Sequence, residues 1–356
     1  MKKFKVGLVG VRRGSSYLSV LSRNIRTEIT AICDINEVIL SDMSKQFNLH
    51  DNMLFTDYND FISGEFDFVI LGTPIPLHAE QTIKALQSGK HVLSEVTASD
   101  TLKGCEDIYN TVTRSKNKYM MAENCIYMHF CKQWKKFIDD GKLGRLFYGE
   151  ADYIHEIRNL VVDPNTNEPK WRAQRPPIHY CTHSLGPLLY LMDDYIIKTT
   201  CSGRNKTLIP DIGPGAIDIQ VALFETFKGA LIKVSRSSLA LRKPPLCTYG
   251  IYGEKGFLET GRQDYENIGK RYFADEDSDG KDIICSPKDP AAPKETVTGG
   301  HGSSEYYLIN DFLDAIEFNL RPSIDVVRAL EMTVPGIIAH EAAMEGNVWK
   351  DVPVFR

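Results

Sequence analysis

The stretch KVGLVGVRRGSSYL, residues 5–18, decides how the fold is read. Its first half is rich in valine and glycine, as suits a strand buried on both faces. A turn at Gly10 follows, and then a helical pattern. Strand, glycine turn and helix in that order open a dinucleotide-binding unit, whose fingerprint is G-x-G-x-x-G. Gly10 holds the first position, but Arg12 stands at the second and Ser15 at the third. Asp34 ends the next apolar run, 24 residues after Gly10, close to the ~20 at which an acid meets a ribose 2′-hydroxyl. Gly10, Arg12, Arg13 and Gly14 are candidates for holding a pyrophosphate. A guanidinium would replace part of the backbone cradle, and the helix N-terminus adds its amides. Asp34 favours NAD over NADP because a carboxylate repels a 2′-phosphate. Arg12 and Arg13 pull the other way.

Outward from this loop, strands and helices alternate. Apolar runs at 28–34, 66–73, 90–96 and 118–123 read as strands. The stretches 75–89 and 101–115 read as helices, the first ending on Gly89 as a C-cap. This alternation predicts a doubly wound parallel sheet. After about residue 125 the pattern changes. A helical stretch at 126–139 is followed by strand-like runs beginning at Arg145, Asp218 and Cys247, the middle one a hairpin turning near Lys228-Gly229. The expected fold is therefore α/β, with an N-terminal Rossmann domain over 1–124. A second α/β domain over 125–356 carries a mostly antiparallel sheet, and the closing helices are free to return to the first domain. Residues 274–300, rich in Pro, Gly and charge, read as a surface excursion. Within them DEDSDG (275–280) starts like a calcium loop, but position twelve is Ser286 rather than glutamate.

The whole chain sets wider bounds. Its 356 residues fit two domains of about 150 each. A net charge of −5 gives no support for nucleic-acid or anionic-membrane binding. The start lacks the apolar core of a signal peptide. No run approaches the ~18 apolar residues of a membrane span. Eight scattered cysteines without C-x-x-C read as free thiols in a reducing cytoplasm.

At GTPIPLHAEQTIKALQSGKHVLSEV (72–96) the chain resembles the glucose–fructose oxidoreductase / inositol dehydrogenase family, Gfo/Idh/MocA. Thr73, Pro74, His78, Gly89, Lys90, His91, Val92 and Glu95 match its TP-x-x-x-H and AGKHVL-x-EKP segments. The resemblance continues through MMAENCIYM, LFETFKGALIKV, YGIYGEKGFLE and PSIDVVRALEM, so it covers nearly the whole chain. It implies a large open-faced second sheet, substrate bound against the nicotinamide between the domains, and sugars or polyols as substrates. It adds Thr73, Pro74, His78 and Glu95 to the cofactor candidates and implies homo-oligomers through the C-terminal sheet. Asn124, after the last Rossmann strand, is a further candidate near the nicotinamide ribose.

The chain departs from the family at two places. Val96 stands where the family has the lysine of EKP. In HYCTHSLGPLLYLM (179–192), His183 keeps the histidine of the family's D-x-x-x-H, while His179 replaces the aspartate. Oxidising a sugar carbon still requires a base for the hydroxyl proton, and a neutral imidazole suits this near pH 7. His183 is the candidate base, with Tyr180 as acid or orienter. His179, Trp171 and Arg172 are weaker substrate candidates. The H-x-x-x-H pair has no nearby acid and does not point to a metal. The pattern Tyr-x-Thr-His-x-Leu-Gly-Pro at 180–187 and GGHGSSEYY at 299–307 are similar to the family's NAD-dependent glycosidase branch. That likeness adds His301, before a helix capped by Ser303 or Ser304. Arg236, Arg242 and Lys243 are a possible seat for an acidic sugar, with a solvated basic patch as the plainer reading.

The expected function is hydride transfer between a sugar or polyol and NAD. The alternatives are glycoside cleavage or elimination with NAD retained, and a non-catalytic dinucleotide-binding regulator.

Overall fold

The structure, a computed structural model, describes residues 3–262, 268–294 and 301–356. The chain forms two compact units, Met1–Tyr127 with Lys288–Leu330, and Met128–Pro287 with Glu331–Arg356.

In unit 1 six parallel strands form one sheet: β1 (Phe4–Val9), β2 (Thr27–Cys33), β3 (Leu54–Phe55), β4 (Phe68–Leu71), β5 (His91–Ser94) and β6 (Tyr119–Met121). Their order is β3-β2-β1-β4-β5-β6. The crossovers carry α1 (Val11–Leu21), α2 (Glu37–Phe47), α3 (Tyr58–Ile62), α4 (His78–Gln87) and α5 (Leu102–Arg114). All of β4 and the last four residues of β1 are buried, as helices on both faces of a parallel sheet require. Side chains start several helices. Asn36 accepts from the Val38 and Ile39 amides, Asp57 from Asn59 and Asp60, and Thr101 from Gly104. The strand order reverses between β1 and β4. Their carboxyl ends therefore frame the crevice where ligands of such sheets bind.

Unit 2 is built on a nine-stranded sheet. Its strands are β7 (Leu146–Ile154), β8 (Ile196–Ser202), β9 (Gln220–Thr226), β10 (Leu231–Ser237), β11 (Leu246–Gly253), β12 (Gly256–Thr260), β13 (Ile268–Phe273), β14 (Lys281–Ile284) and β15 (Lys350–Asp351). The order is β14-β13-β12-β11-β7-β10-β9-β8-β15. Every pair is antiparallel except β7 with β10. Helices α6 (His129–Asp139), α7 (Arg158–Val161) and α8 (Thr182–Met192) belong to this unit. Gly149 of β7 lets α8 come close, since a Cβ there would lie 2.9 Å from Met192 Cε. The opposite face carries a row of neighbouring rings, Tyr148, Tyr252, Phe257 and Tyr272.

The chain closes with α9 (Ser304–Glu317) and α10 (Val326–Met344). Helix α9 packs on unit 1: Phe312 meets Phe68 edge to face, and Arg26 pairs with Asp314 and Glu317. The β9–β10 hairpin turns at Gly229, as the sequence predicts. Two expectations are corrected. The helix expected from 126 begins at His129, after a 3-10 turn over Asn124–Tyr127. The excursion expected over 274–300 contains β14, paired with β13; its residues 295–300 lie outside the described residues. Asp277 of the DEDSDG loop is already used, by Lys281 at 2.7 Å and the Phe273 amide at 2.9 Å. Among the described residues no helix is long and apolar enough to cross a membrane.

Candidate cofactor and substrate sites

Helix α1 begins immediately after Gly10, which takes the left-handed conformation at φ 79. A Cβ on Gly10 would lie 2.4 Å from the Gly72 carbonyl carbon. The carboxyl ends of β1 and β4 thus approach as bare backbone. Gly14 makes the second close approach, where a Cβ would meet Leu8 Cδ2 at 2.5 Å. The fingerprint uses its last glycine for this helix-to-strand contact. Here Gly14 serves, one residue before the expected position, so Ser15 is no defect.

Asp34 sits at the end of β2. Its Oδ2 accepts the Val11 amide at 2.9 Å and its Oδ1 the Asn36 amide at 3.0 Å. A narrow glycine cradle with a carboxylate at the end of the second strand is the arrangement in which such folds meet a dinucleotide's phosphates with a helix start and its ribose with an acid. We expect Asp34→Ala to weaken NAD binding by about tenfold or more, from loss of a charge-assisted hydrogen bond, and to narrow the gap to NADP. Fluorescence titration with both nucleotides measures this.

Arg12 is exposed, and its guanidinium pairs with no described residue. Arg13 turns to the buried carboxylate of Glu95 at 2.7 Å. The Tyr17 hydroxyl donates to the same carboxylate at 2.7 Å, and the Val96 amide donates at 3.2 Å. Burial, then the Glu95 charge, raises the Tyr17 pKa well above its usual value. Val96, at the family's lysine position, is itself buried. The cation that meets Glu95 therefore comes from α1. Arg13→Ala leaves Glu95 buried without a cation. Because Arg13 is partly exposed, we expect a cost of about 1–2 kcal/mol rather than that of a fully buried pair. Urea unfolding measures it.

Thr73 donates to Gln81 at 2.5 Å, and Pro74 leads a 3-10 turn over Ile75–Leu77. His78 is fully buried, with its ring nitrogens 2.7 Å from the Thr97 carbonyl and 2.8 Å from the Thr73 carbonyl. Neither nitrogen is left for a ligand. His78 instead ties the turn after β4 to the segment after β5. Asn124 is buried and donates to Glu305 Oε1 at 3.3 Å. His301 Nδ1 lies 3.2 Å from the same oxygen. Burial alone would raise the Glu305 pKa, but the His301 hydrogen bond and charge bring it below its usual value. Glu305, which the sequence does not single out, thus joins two of the candidate residues, Asn124 and His301, through one carboxylate oxygen. Its i,i+4 spacing from His301 was the available signal. Ser303 precedes α9 without capping it, since its hydroxyl accepts from the Asp289 amide. Gly299 and Gly300 lie outside the described residues.

In unit 2, His183 lies in the first turn of α8 and is buried. Its Nε2 is 3.1 Å from the Tyr180 hydroxyl, and the two rings meet edge to face. Tyr153 approaches the same imidazole edge-on, at 5.8 Å between centroids. Pro187 has no N–H for the carbonyl four residues back, which is that of His183. The Tyr249 hydroxyl donates to that carbonyl instead. The proline thus creates an acceptor that pins the first turn of α8 to the sheet.

Gly336 of α10 packs close to the 3-10 turn Pro177–Tyr180; a Cβ there would lie 2.6 Å from the Ile178 carbonyl oxygen. His179 turns toward α10, edge-on to His340 at 5.3 Å. Burial, with His340 and Arg175 adding to it, pushes the His179 pKa down to about 3. His179 and His183 therefore look to different neighbours despite their i,i+4 spacing. Trp171 and Arg172 stack on each other at 4.2 Å. Arg175 lies 5.5 Å from the Trp171 ring and 4.4 Å from the Tyr180 ring. The basic patch expected at 236–243 does not form. Arg236 is 1% exposed, while Arg242 donates to the Pro244 and Arg262 carbonyls and Lys243 is exposed.

Residues 4–123 match the model of the oxidoreductase family with an NAD-binding Rossmann fold, GFO_IDH_MocA. A glycosyl hydrolase family 109 protein of Shewanella sp. (strain W3-18-1) is 26% identical over 382 residues, spanning 96% of this chain and 83% of that protein. Levoglucosan dehydrogenase, solved with NADH and L-sorbose, superposes with a TM-score of 0.85 at 19% identity, over 99% of this chain and 100% of that one. Myo-inositol 2-dehydrogenase from Lactobacillus plantarum gives 0.77 at 14% identity, with the same coverage. These two likenesses are of fold. Residues 4–123 form the NAD-binding Rossmann domain of the Gfo/Idh/MocA oxidoreductase family.

Proposed function

We propose that this protein oxidises a hydroxyl carbon of a sugar or polyol, with residues 1–124 holding NAD and residues 125–356 holding the substrate. The observation that carries this reading is the pair of buried His183 and half-buried Tyr180, with Nε2 and the hydroxyl 3.1 Å apart. Bound NAD supplies the hydride acceptor. Gly10, Gly14 and the start of α1 hold its phosphates, with Arg12 beside them, and Asp34 holds its ribose. Thr73, Pro74, Glu95 and Asn124 shape the end nearer the nicotinamide.

His183 takes the hydroxyl proton at Nε2. The proton travels through Tyr180, whose oxygen takes it from the substrate hydroxyl as its own proton goes to Nε2. Tyr153 walls one edge of the imidazole, keeping water from it. Tyr180→Phe keeps the imidazole and loses the hydroxyl, so we expect kcat to fall by about tenfold to a hundredfold with NAD affinity unchanged. Steady-state kinetics beside an NAD titration measure both.

A second reading is supported by the family 109 relative, which matches along 96% of the chain, and by Val96 in place of the lysine. In it the same base serves glycoside cleavage with no net change in NAD. One experiment separates the two. Purified protein is given sugars and polyols with NAD, and nitrophenyl glycosides with catalytic NAD. Net NADH supports the dehydrogenase. Nitrophenol release without net NADH supports the second reading. Neither product from protein that binds NAD would defeat both.

The face of the nine-stranded sheet that carries the row of half-buried rings, Tyr148, Tyr252, Phe257 and Tyr272, is where we place contact with a second copy. Sedimentation of a Tyr252→Glu variant tests it; an unchanged assembly state would exclude that face.

A further inference from the structure

Strand β10 alternates between buried and less buried positions, and Arg236 shares the buried face with Ile232 and Val234. A cation on the apolar face of a sheet is costly unless something opposite in charge meets it. Among the described residues Arg236 donates only to the backbone carbonyls of Tyr153 and Ser237, and its Nε has no partner. Arg175 is also buried, at 7% exposure, and its side chain hydrogen-bonds to no described residue. No described carboxylate pairs with either. What they have is aromatic faces: Arg236 lies 4.5 Å from the Tyr153 centroid and 5.6 Å from that of Tyr180, and Arg175 lies 4.4 Å from Tyr180. Ring faces soften the cost of a buried cation but do not neutralise it. Burial and the neighbouring Arg236 push the Arg175 pKa down to about 9, which leaves it charged at neutral pH.

Both guanidinium groups flank the ring of Tyr180, whose hydroxyl bonds His183 Nε2. We propose that the substrate is an anionic sugar, whose carboxylate or sulfate oxygens are bound by Arg175 and Arg236 while its hydroxyl meets Tyr180 and His183. A planar guanidinium fork matches such an oxyanion. The two cations are kept unpaired because the ligand brings the counter-charge. The inference rests on reading Tyr180 and His183 as the substrate site.

The test is calorimetric titration of the NAD-loaded full chain with D-glucuronate and D-galacturonate against D-glucose and D-galactose, and with D-galactose 6-sulfate. At least one anionic sugar should bind about tenfold or more tighter than its neutral parent. In Arg175→Gln the preference should fall to about twofold or less, and Arg175→Lys should restore part of it. Preference for the uronates alone, or for the sulfate alone, tells which oxyanion is used. Equal or better binding of the neutral sugars, no binding of any anion, or a preference that survives Arg175→Gln would overturn the proposal. Ligand-free Arg175→Met gives a separate reading. Removing an unpaired buried cation should raise the melting temperature; a fall would assign Arg175 to structure and overturn the proposal. Tight uronate binding without turnover supports the ligand class and counts against hydride transfer. Turnover of neutral sugars with no anionic preference does the reverse.

Discussion

His183→Ala should lower kcat by about 10²–10⁴-fold, the usual contribution of a positioned acid–base group, while NAD binds as before. Gly10, Asp34 and Glu95, which we propose hold the cofactor, lie in unit 1, and His183 lies in the first turn of α8 in unit 2. Alanine keeps the backbone of that turn. The contact that pins it, from the Tyr249 hydroxyl to the residue 183 carbonyl, is a backbone contact and survives the substitution. The loss should therefore read as chemistry rather than unfolding. Circular dichroism and an NAD titration on the same preparation check this. Turnover unchanged within about twofold would show that another group takes the proton.

Gly10→Val should abolish measurable NAD binding, a loss of about a hundredfold or more. Three effects act together. At φ 79 a β-branched side chain is strained, by about 1–2 kcal/mol. Its Cβ would lie 2.4–2.5 Å from Gly72 and Thr73 backbone atoms, which cannot turn away as a flexible side chain would. The displaced β1 end would carry Val11 away from Asp34, which accepts its amide. Overpacking of this kind costs a further ~1–3 kcal/mol. Gly141→Val is the control. It has φ 75 but nothing within 4 Å of its Cβ, so it should show the strain alone and keep NAD affinity. Similar losses of NAD binding in both variants would mean that general destabilisation, not the cradle, is responsible.

The parallel sheet is legible in the sequence because strands such as Phe68–Leu71 are buried on both faces and read as unbroken apolar runs. The His183–Tyr180 pair is legible for a different reason: three residues apart across a helix start, they need no long-range contact to meet. Strands β8 and β13–β15 are harder to see. Lys281–Ile284 is half charged, and only pairing with Ile268–Arg271 makes it a strand. The role of Gly14 is hidden because a motif counts positions whereas contact with Leu8 depends on where α1 starts. Arg236 is the plainest case. In sequence it stands near Arg242 and Lys243 and reads as a solvated patch, but the two-residue period of β10 turns it onto the buried face. Glu305 is hidden for the opposite reason: its partner Asn124 is 181 positions away.

The most direct test of the account is a single-turnover measurement. Excess NAD-loaded protein is mixed with uronates, neutral sugars and nitrophenyl glycosides, and reduced-nicotinamide fluorescence is followed. This detects hydride transfer whether the hydride is kept or returned. Reduced nicotinamide should rise with at least one sugar, and His183→Ala should give no rise. No rise with any sugar, from protein shown to hold NAD, would contradict it.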